Sequence, residues 1–450
     1  MKELERTLDY LRRNGTMNTL YAAGQHLLDA GRDLVYDRKR PEEQTTSGEL
    51  DRQRVEGRQF GIGISVLVPV FHPKERLIRE MTQSVLAQSY ESWEMILADG
   101  SAEPSDVVRK ITEKDPRIRY VRAKAGGGIS ENTNSALNAS KGDMVTFLDQ
   151  DDLLEKDALY RIAWAAANGA QIVYTDEDKL DDASGRYLSV NRKPEYNADL
   201  LYANNYICHL FAVKRGVALG VGGFRSRYDG SQDHDFILRC CDAVQETKIF
   251  HIPKVLYHWR IHSSSTAGDP SAKLYAYENG RKAVEDHLRK KGIACRVEHT
   301  KHRGFFRVVY TEKIQEGSYR VLIDGDLIPL TENAEAVLAS YLARKDVGAV
   351  GARVTDRLGR ILCSGYERGE DGRIVSLFAG MNARLPGTMN RAGLVTEVAA
   401  VSKYACIIRK ELADCAGEDP GKIDSWRMCR EIRKRGYRIL IDPEVVFVKK

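Results

Sequence analysis

The chain has 450 residues, 30% charged and 42% apolar. At roughly 100 to 200 residues per domain this means two to four folded domains, excluding a disordered tail and a small stapled scaffold. Its net charge of +5, from 69 basic and 64 acidic residues, lacks the clustered positive field of a nucleic-acid binder, although an anionic small ligand stays compatible.

No run reaches the ~18 consecutive apolar residues of a membrane-spanning helix, and the start, Met1-Lys2-Glu3-Leu4-Glu5, lacks a signal-peptide core. The eight cysteines, at 208, 240, 241, 295, 363, 406, 415 and 429, include no Cys-x-x-Cys pair. They read as reduced, mostly core thiols of a cytoplasmic protein, not as a zinc or disulfide framework.

Residues 2 to 36 carry two apolar stripes at helical spacing, Leu4, Leu8 and Leu11, then Leu20, Ala23, Leu27 and Leu28. They predict two helices covering the main domain. Residues 37 to 54, with Pro41 and Thr45 to Gly48, read as a polar connector. From Ile64 short β-branched runs (64–69, 93–98, 118–121) alternate with helical stretches (76–88, 106–114, 131–139), the pattern of an α/β sheet with helices on both faces. A further strand, 144–148, ends in Asp149-Gln150-Asp151-Asp152, and ligands of open α/β sheets gather at the carboxyl ends of strands.

The chain also echoes itself. Phe147-Leu148-Asp149-Gln150-Asp151 is matched by Leu322-Ile323-Asp324-Gly325-Asp326, Gly185-Arg186 by Gly359-Arg360, and His251-Ile252-Pro253 by Ile441-Asp442-Pro443. Agreement in order at three places predicts a diverged duplication. The copy is incomplete: 85 residues separate Ile64 from Asp149, but only 32 separate Gly292 from Asp324, too few for the same three strands and helices.

Four segments carry candidate chemistry. Crowded carboxylates at Asp149, Asp151 and Asp152 are tolerable when solvated or neutralised by a cation, and Mg²⁺ or Mn²⁺ is commonly shared between carboxylates and substrate phosphates; by itself, though, Asp-x-Asp is a weak signal and fits an exposed turn before a helix better. Gly126-Gly127-Gly128 before a helix with Asn132 and Asn134 offers backbone N–H groups to an anion, or is a mobile turn capped by Ser130. Gln232-Asp233-His234-Asp235 runs into a helix, where an aspartate serves as proton acceptor or as plain N-cap. His258-Trp259-Arg260-Ile261-His262, followed by Ser263 to Ser265, could donate to a diphosphate or complete a metal shell. There is no Gly-x-x-x-x-Gly-Lys-Ser/Thr phosphate loop.

In order, these segments resemble glycosyltransferase family 2, the inverting enzymes with a GT-A fold. The resemblance covers about residues 62 to 292 and rests on Ile64 to Val70, Ala98-Asp99-Gly100-Ser101, Asn134 to Leu137, Phe147 to Asp152, Gly222-Gly223-Phe224, Gln232 to Asp235 and His251 to His262. With Tyr174-Thr175-Asp176-Glu177-Asp178-Lys179 it resembles the bacterial branch that builds rhamnan, O-antigen and other cell-surface polysaccharides.

The implied fold is α/β: a GT-A domain at 61–293 with mixed central sheet and flanking helices, after N-terminal helices and linker at 1–60 and before a degenerate partial second module at 294–450. The implied donor is a nucleoside-diphosphate sugar. Asp149, Asp151 and His258 would hold Mn²⁺ or Mg²⁺, and Pro69, Asp99, Ser101, Gly128, Asn134, Gln150, Arg260 and His262 would join them around the nucleotide. Asp233 matches the general base, with Asp176, Glu177, Asp178, Gln232 and Asp235 toward a glycan or lipid-linked glycan acceptor, and loops 176–206 and 263–273 shaping the pocket. Location at the inner face of a membrane and self-association are compatible with this reading.

Two positions depart from the family pattern: Ala98 stands where an aspartate is common, and Thr133 stands for an arginine, which weakens the case for a uracil nucleotide. In the echo, Asp233 corresponds to Ile423, beside Asp424, and His258 to Val448, while Asp324 and Asp326 persist. An inactive carbohydrate-binding or assembly protein of the same ancestry is the alternative, and sugar-nucleotide hydrolysis a third reading. A nucleotidyltransferase is disfavoured, because Val68-Pro69-Val70-Phe71-His72 stands where its glycine-rich segment would be.

Overall fold

The computed structural model describes residues 2–262, 274–369, 371–417 and 424–450, without the side chains of residues 2–6 and 9. Ser263 to Ser265, the 263–273 loop, Ile423 and the side chain of Leu4 lie outside the described residues. Two compact units form, one from 30–196 and 205–287, the other from 1–29, 197–204 and 288–450. These divisions differ from boundaries at 60 and 293. No helix among the described residues is long and apolar enough to cross a membrane.

The N-terminal helix α1 (Lys2–Glu43) is interrupted at Gly15, whose φ of 76° is left-handed, and then continues past the expected end through Pro41. The connector is not continuous loop either, since α2 (Ser47–Gly57) lies inside it. Thr46 starts that helix by accepting from the Glu49 N–H at 3.3 Å, a Thr-x-x-Glu start signal, and Leu50, Gln53 and Gly57 are buried.

In the first unit, β1 (Ile64–Val70), β2 (Trp93–Asp99), β3 (Ile118–Arg122) and β4 (Met144–Phe147) are parallel. β1 is an almost unbroken apolar run because both sheet faces are covered. Helix α3 (Glu75–Leu86) buries Leu77, Ile78, Met81 and Val85 at helical spacing; α4 (Asp106–Thr112) and α5 (Ile129–Ala139) follow β2 and β3.

Next come β5 (Leu153–Leu154), α6 (Ala158–Ala167), β6 (Ile172–Asp181), β7 (Tyr187–Asn191), α7 (Ala198–Ala203), β8 (Phe211–Lys214), α8 (Arg215–Gly220), α9 (Gln232–Asp242), β9 (Ile249–Ile261) and α10 (Leu274–Lys290). The sheet order is β3-β2-β1-β4-β8-β6-β9-β5, with β7 beside β6. β8 is antiparallel to both β4 and β6, β9 is parallel to β6, and β5 is antiparallel to β9. Helix α7 belongs to the other unit, where Asp199 pairs with Arg344 and Asn197 donates to Thr396 Oγ1 at 2.8 Å.

The second unit begins its strands with the hairpin β10 (Cys295–His299) and β11 (Phe306–Tyr310). Its main sheet contains β12 (Tyr319–Ile323), β13 (Leu327–Pro329), β14 (Val347–Thr355), β15 (Ile361–Cys363), β18 (Thr396–Glu397), β19 (Ala405–Arg409) and β20 (Arg438–Lys449), while β16 (Tyr366–Arg368) and β17 (Ile374–Ser376) form a separate hairpin. Helices α11 (Ala334–Ser340), α12 (Ala413–Ala416) and α13 (Ser425–Lys434) complete it, with Met428, Cys429 and Ile432 packed against Ile408, Ile439 and Ile441.

The order β12-β19-β14-β20-β13 repeats β4-β8-β6-β9-β5 strand for strand and direction for direction. The Gly185 and Gly359 turns also correspond, Gly185 donating its N–H to the carbonyl of Asp181, the last residue of β6, at 2.8 Å, and Gly359 to that of Asp356, just past β14, at 3.0 Å. Among the described residues nothing in the second sheet corresponds to β1, β2 and β3.

Candidate active site

Two cavities of the first unit open at the carboxyl ends of β1 and β4. One, of about 400 Å³, is lined by Pro69, Phe71, Gly127, Gly128, Ile129, Asn132 and Asp149 to Asp151. The other, of about 540 Å³, includes Asp149, Cys208, His209, Gln232, Asp233, Tyr257 and Trp259. Pro69, Gly128, Ile129 and Asp149 belong to both.

The acidic loop after β4 is braced from several sides. Gln150 is a clamp: its Oε1 accepts from the Phe71 N–H at 3.0 Å and its Nε2 donates to the Phe71 carbonyl at 3.1 Å. Asp151 Oδ2 meets His262 Nε2 at 2.6 Å. Asp152 is buried, accepting from Tyr257 Oη and from the Arg260 N–H at 2.7 Å. Burial, then the charges of Asp149 and Asp151, push the Asp152 carboxyl well above the usual carboxylate range.

One ligand atom each of Asp149, Asp152 and His209 lies within 4.8 Å of the others, a group able to hold a metal ion. Carboxylate oxygens with imidazole suit Mn²⁺ better than an all-oxygen site would, and a cation there would relieve the crowding of the carboxylates. The residues therefore fit a divalent ion, with Asp151 and His262 paired in the adjacent part of the loop.

His258 is not part of this group. Its Nδ1 meets Asp178 at 2.5 Å and its Nε2 lies 3.3 Å from Glu155, with Arg40 also against it. Strand alternation explains the displacement: Tyr257 and Trp259 face the cavity, so His258 between them faces away. Burial would lower its pKa, but Asp178 and Glu155 outweigh that and raise it; Glu155, although half-buried, is held at about 2 by His258 and Arg40.

The side chains expected toward an acceptor divide similarly. Asp176 is buried against His251 Nε2 at 2.9 Å and the Lys193 N–H at 2.9 Å; Asp178 accepts from Tyr36 Oη at 2.7 Å. Glu177, on the opposite face of β6, accepts from the His209 N–H at 3.3 Å and from Asn191. None of the three lines either cavity. On α9, Gln232 and Asp233 do line the larger one, whereas Asp235 is buried between Arg225 and Arg239. Asp233 Oδ2 accepts from Asn205 Nδ2 at 2.9 Å and from the Cys208 thiol at 3.3 Å.

Around the smaller cavity, Asp99 is buried and accepts from the backbone N–H groups of Ser101 and Ser105, each at 2.9 Å, and from Tyr120 Oη at 3.3 Å. Burial raises its carboxyl, but these hydrogen bonds prevail and hold it below its ordinary value. Ser101 Oγ is engaged by the His72 N–H. Asn134 does not reach the cavity: it clamps both backbone groups of Phe224, at 2.8 and 2.9 Å. A Cβ on Gly223 would strike its Oδ1, which with a φ of +64° explains the glycine.

Of the buried polar atoms without a hydrogen-bond partner among the described residues, Asn132 Oδ1 and Arg260 Nη2 lie beside the acidic loop. Asn132 lines the smaller cavity, and Arg260 sits against Asp151 through Nε to its carbonyl at 2.7 Å. They offer an acceptor and a cationic donor beside the acidic loop. Sequence reading named Asn132 and Cys208 without a site role and did not single out Asn205 or His209; the run from Asn204 to Leu210 carries no recognisable spacing and reaches the cavity because β8 lies between β4 and β6.

Comparison with known proteins was made with this geometry in hand. The family model described as glycosyl transferase family 2 matches residues 65–218. An uncharacterised glycosyltransferase of Haemophilus influenzae is 35% identical over 192 residues, 42% of this chain and 75% of that protein. The O-antigen biosynthesis protein RfbC of Myxococcus xanthus is 36% identical over 239 residues, 52% of this chain and 18% of that protein. An uncharacterised protein of Sinorhizobium fredii is 44% identical over 235 residues, 51% of this chain and 26% of that protein. The chain thus spans 26% and 18% of the length of the two longer relatives.

Proposed function

The chain belongs to glycosyltransferase family 2, and from that membership we propose that it moves a sugar, with inversion, from a nucleoside-diphosphate sugar to a glycan or lipid-linked glycan in cell-surface polysaccharide synthesis. The observation that carries the reading is that Asp149 and Asp233 line one cavity while Asp149 also lines the neighbouring one. A donor seated beside Gly128, Asn132 and the acidic loop would present its anomeric carbon toward the cavity that holds Asp233.

Asp233 then takes the proton of the attacking hydroxyl, its carboxylate oriented by Asn205 and Cys208. Attack from the side opposite the diphosphate inverts the anomeric carbon. Arg260, whose Nη1 pairs with Glu80 and Asp182 and whose Nη2 has a spare buried N–H, would donate to the anionic donor. A Mn²⁺ or Mg²⁺ held by Asp149 with Asp151, Asp152 and the imidazoles of His209 and His262 would offset charge on the departing nucleoside diphosphate. The Myxococcus relative's name, O-antigen biosynthesis protein, supports polysaccharide assembly as the setting, and work at the cytoplasmic face of a membrane is part of the proposal.

The test is release of nucleoside diphosphate from a panel of sugar nucleotides, with and without glycan acceptors, in wild type and Asp233→Asn. Acceptor-dependent release in wild type, its loss in the variant and near-normal donor binding by calorimetry are expected. Retained turnover in the variant would dismiss Asp233 as the base. Release indifferent to acceptor would favour hydrolysis, and no release from any donor an inert binding protein.

A further inference from the structure

The second unit has a cavity of its own, of about 700 Å³, at the ends of β14 and β20. Lys301, Arg353, Arg357 and Arg384 line it, against two acids, Asp356 and Glu444. Both acids are already engaged. Asp356 accepts from the N–H groups of Leu358 and Arg360 at 2.9 and 2.8 Å and pairs with the Arg360 side chain at 3.3 Å, and Glu444 pairs with Arg307. Among the described residues none of the four cations makes an ion pair.

Arg353 is the most telling of them. It is only 4% exposed, and its guanidinium donates to neutral oxygens, Ser364 Oγ and the carbonyls of Ala383 and Ala392. Burial pushes its pKa down to about 10, with Asp442 and Glu444 opposing at longer range. A buried cation facing a cavity without a counter-ion is an unfinished electrostatic arrangement.

The repeat sharpens the contrast. Register shifts at Asp176 where β6 pairs with β9 and at Arg353 where β14 pairs with β20, so an acid at one bulge is replaced by a base at the other. The remaining wall suits a sugar: Asn382, Asn390, Thr300 and Thr331 supply hydrogen-bonding groups, and Tyr21, with Arg384 above its ring at 5.8 Å, supplies a flat apolar face. His302 adds a buried Nε2 with no hydrogen-bond partner among the described residues.

We propose that this cavity is a second saccharide site, separate from the transfer site, that takes a sugar unit bearing a carboxylate or phosphate, with Arg353, Lys301 and Arg384 reading the negative charge. That the ligand is anionic rests on this cavity alone; that a saccharide carries the charge rests also on the glycan-transfer reading.

The full chain is titrated calorimetrically with a galacturonic acid tetrasaccharide, glucose 1-phosphate, inorganic phosphate and neutral maltotetraose, at low and high salt. Binding of the uronate or of the sugar phosphate, whichever identifies the charge, is expected to weaken with salt and to fall ~10-fold or more in the rim variant Lys301→Glu/Arg384→Glu. Arg353→Gln should do the same, and the rim variant, which leaves the buried residue alone, keeps the test sound if Arg353→Gln fails to fold.

No binding of either anionic sugar, equal binding of maltotetraose, inorganic phosphate binding as tightly as the sugars, or unchanged affinity in the rim variant would each overturn the proposal. The titration contains no donor. A chain that binds anionic sugar but transfers nothing would count against the transfer reading, and one that transfers but does not bind would count against this one.

Discussion

Asp233, the proposed proton acceptor, shows how little of such a group's environment lies in its own motif. Asn205 Nδ2 and the Cys208 thiol both aim at its Oδ2, fixing the carboxylate while leaving Oδ1 for a substrate hydroxyl. Asn205→Ala should lower kcat about tenfold, a barrier change of ~1.4 kcal/mol, with the donor KM nearly unchanged; steady-state kinetics against donor concentration reads the split. Asn134 makes the opposite case. Its side chain is spent on Phe224, so Asn134→Ala should cost ~1–3 kcal/mol of stability by denaturant unfolding and leave donor affinity alone. Asp99, Asp149 and Asp233 were legible because strand-end and helix-start motifs are local. The spare atoms of Asn132 and Arg260 were not, because an unpartnered atom exists only once the chain has closed around it.

At the level of elements, β6 and β9 explain most of the displaced residues. They run parallel with Asp178 opposite His258, so charged residues of two motifs that each suggest a ligand site neutralise one another instead. Period-two alternation, visible in the sequence, separates Glu177 from Asp176 and Asp178; the pairing of the strands was not visible, since 80 residues separate the partners. The buried cluster makes a pH prediction. The raised His258 pKa means that its protonated form is favoured by folding, so its contribution is fully present below the ordinary histidine value of ~6.5 and is lost as pH rises through the raised value. Glu155, depressed to about 2, contributes above the ordinary glutamate value and loses that contribution as pH falls toward 2. Thermal melts across pH should therefore fall off on both sides of a plateau, and His258→Gln should erase the alkaline slope; an unchanged slope would refute the assignment.

For the whole molecule, the α/β character, the first four parallel strands and the internal echo were readable from texture alone. The allotment of α7 and of residues 1–29 to the C-terminal unit was not, because it depends on pairs such as Asp199 with Arg344 that no local pattern announces. Chelation should cut transfer at least ~10-fold, with Mn²⁺ restoring it better than Mg²⁺ because of the imidazoles near Asp149 and Asp151. Full activity in chelator would remove the metal from the scheme. The two cavities beside the acidic loop have Pro69, Gly128, Ile129 and Asp149 in common, so that occupants of the two would touch the same few side chains. On the proposed reading, donor and acceptor are held there together. Double-reciprocal plots at several fixed acceptor concentrations should intersect and not run parallel, and each substrate should tighten or loosen its neighbour's hold through those few shared side chains.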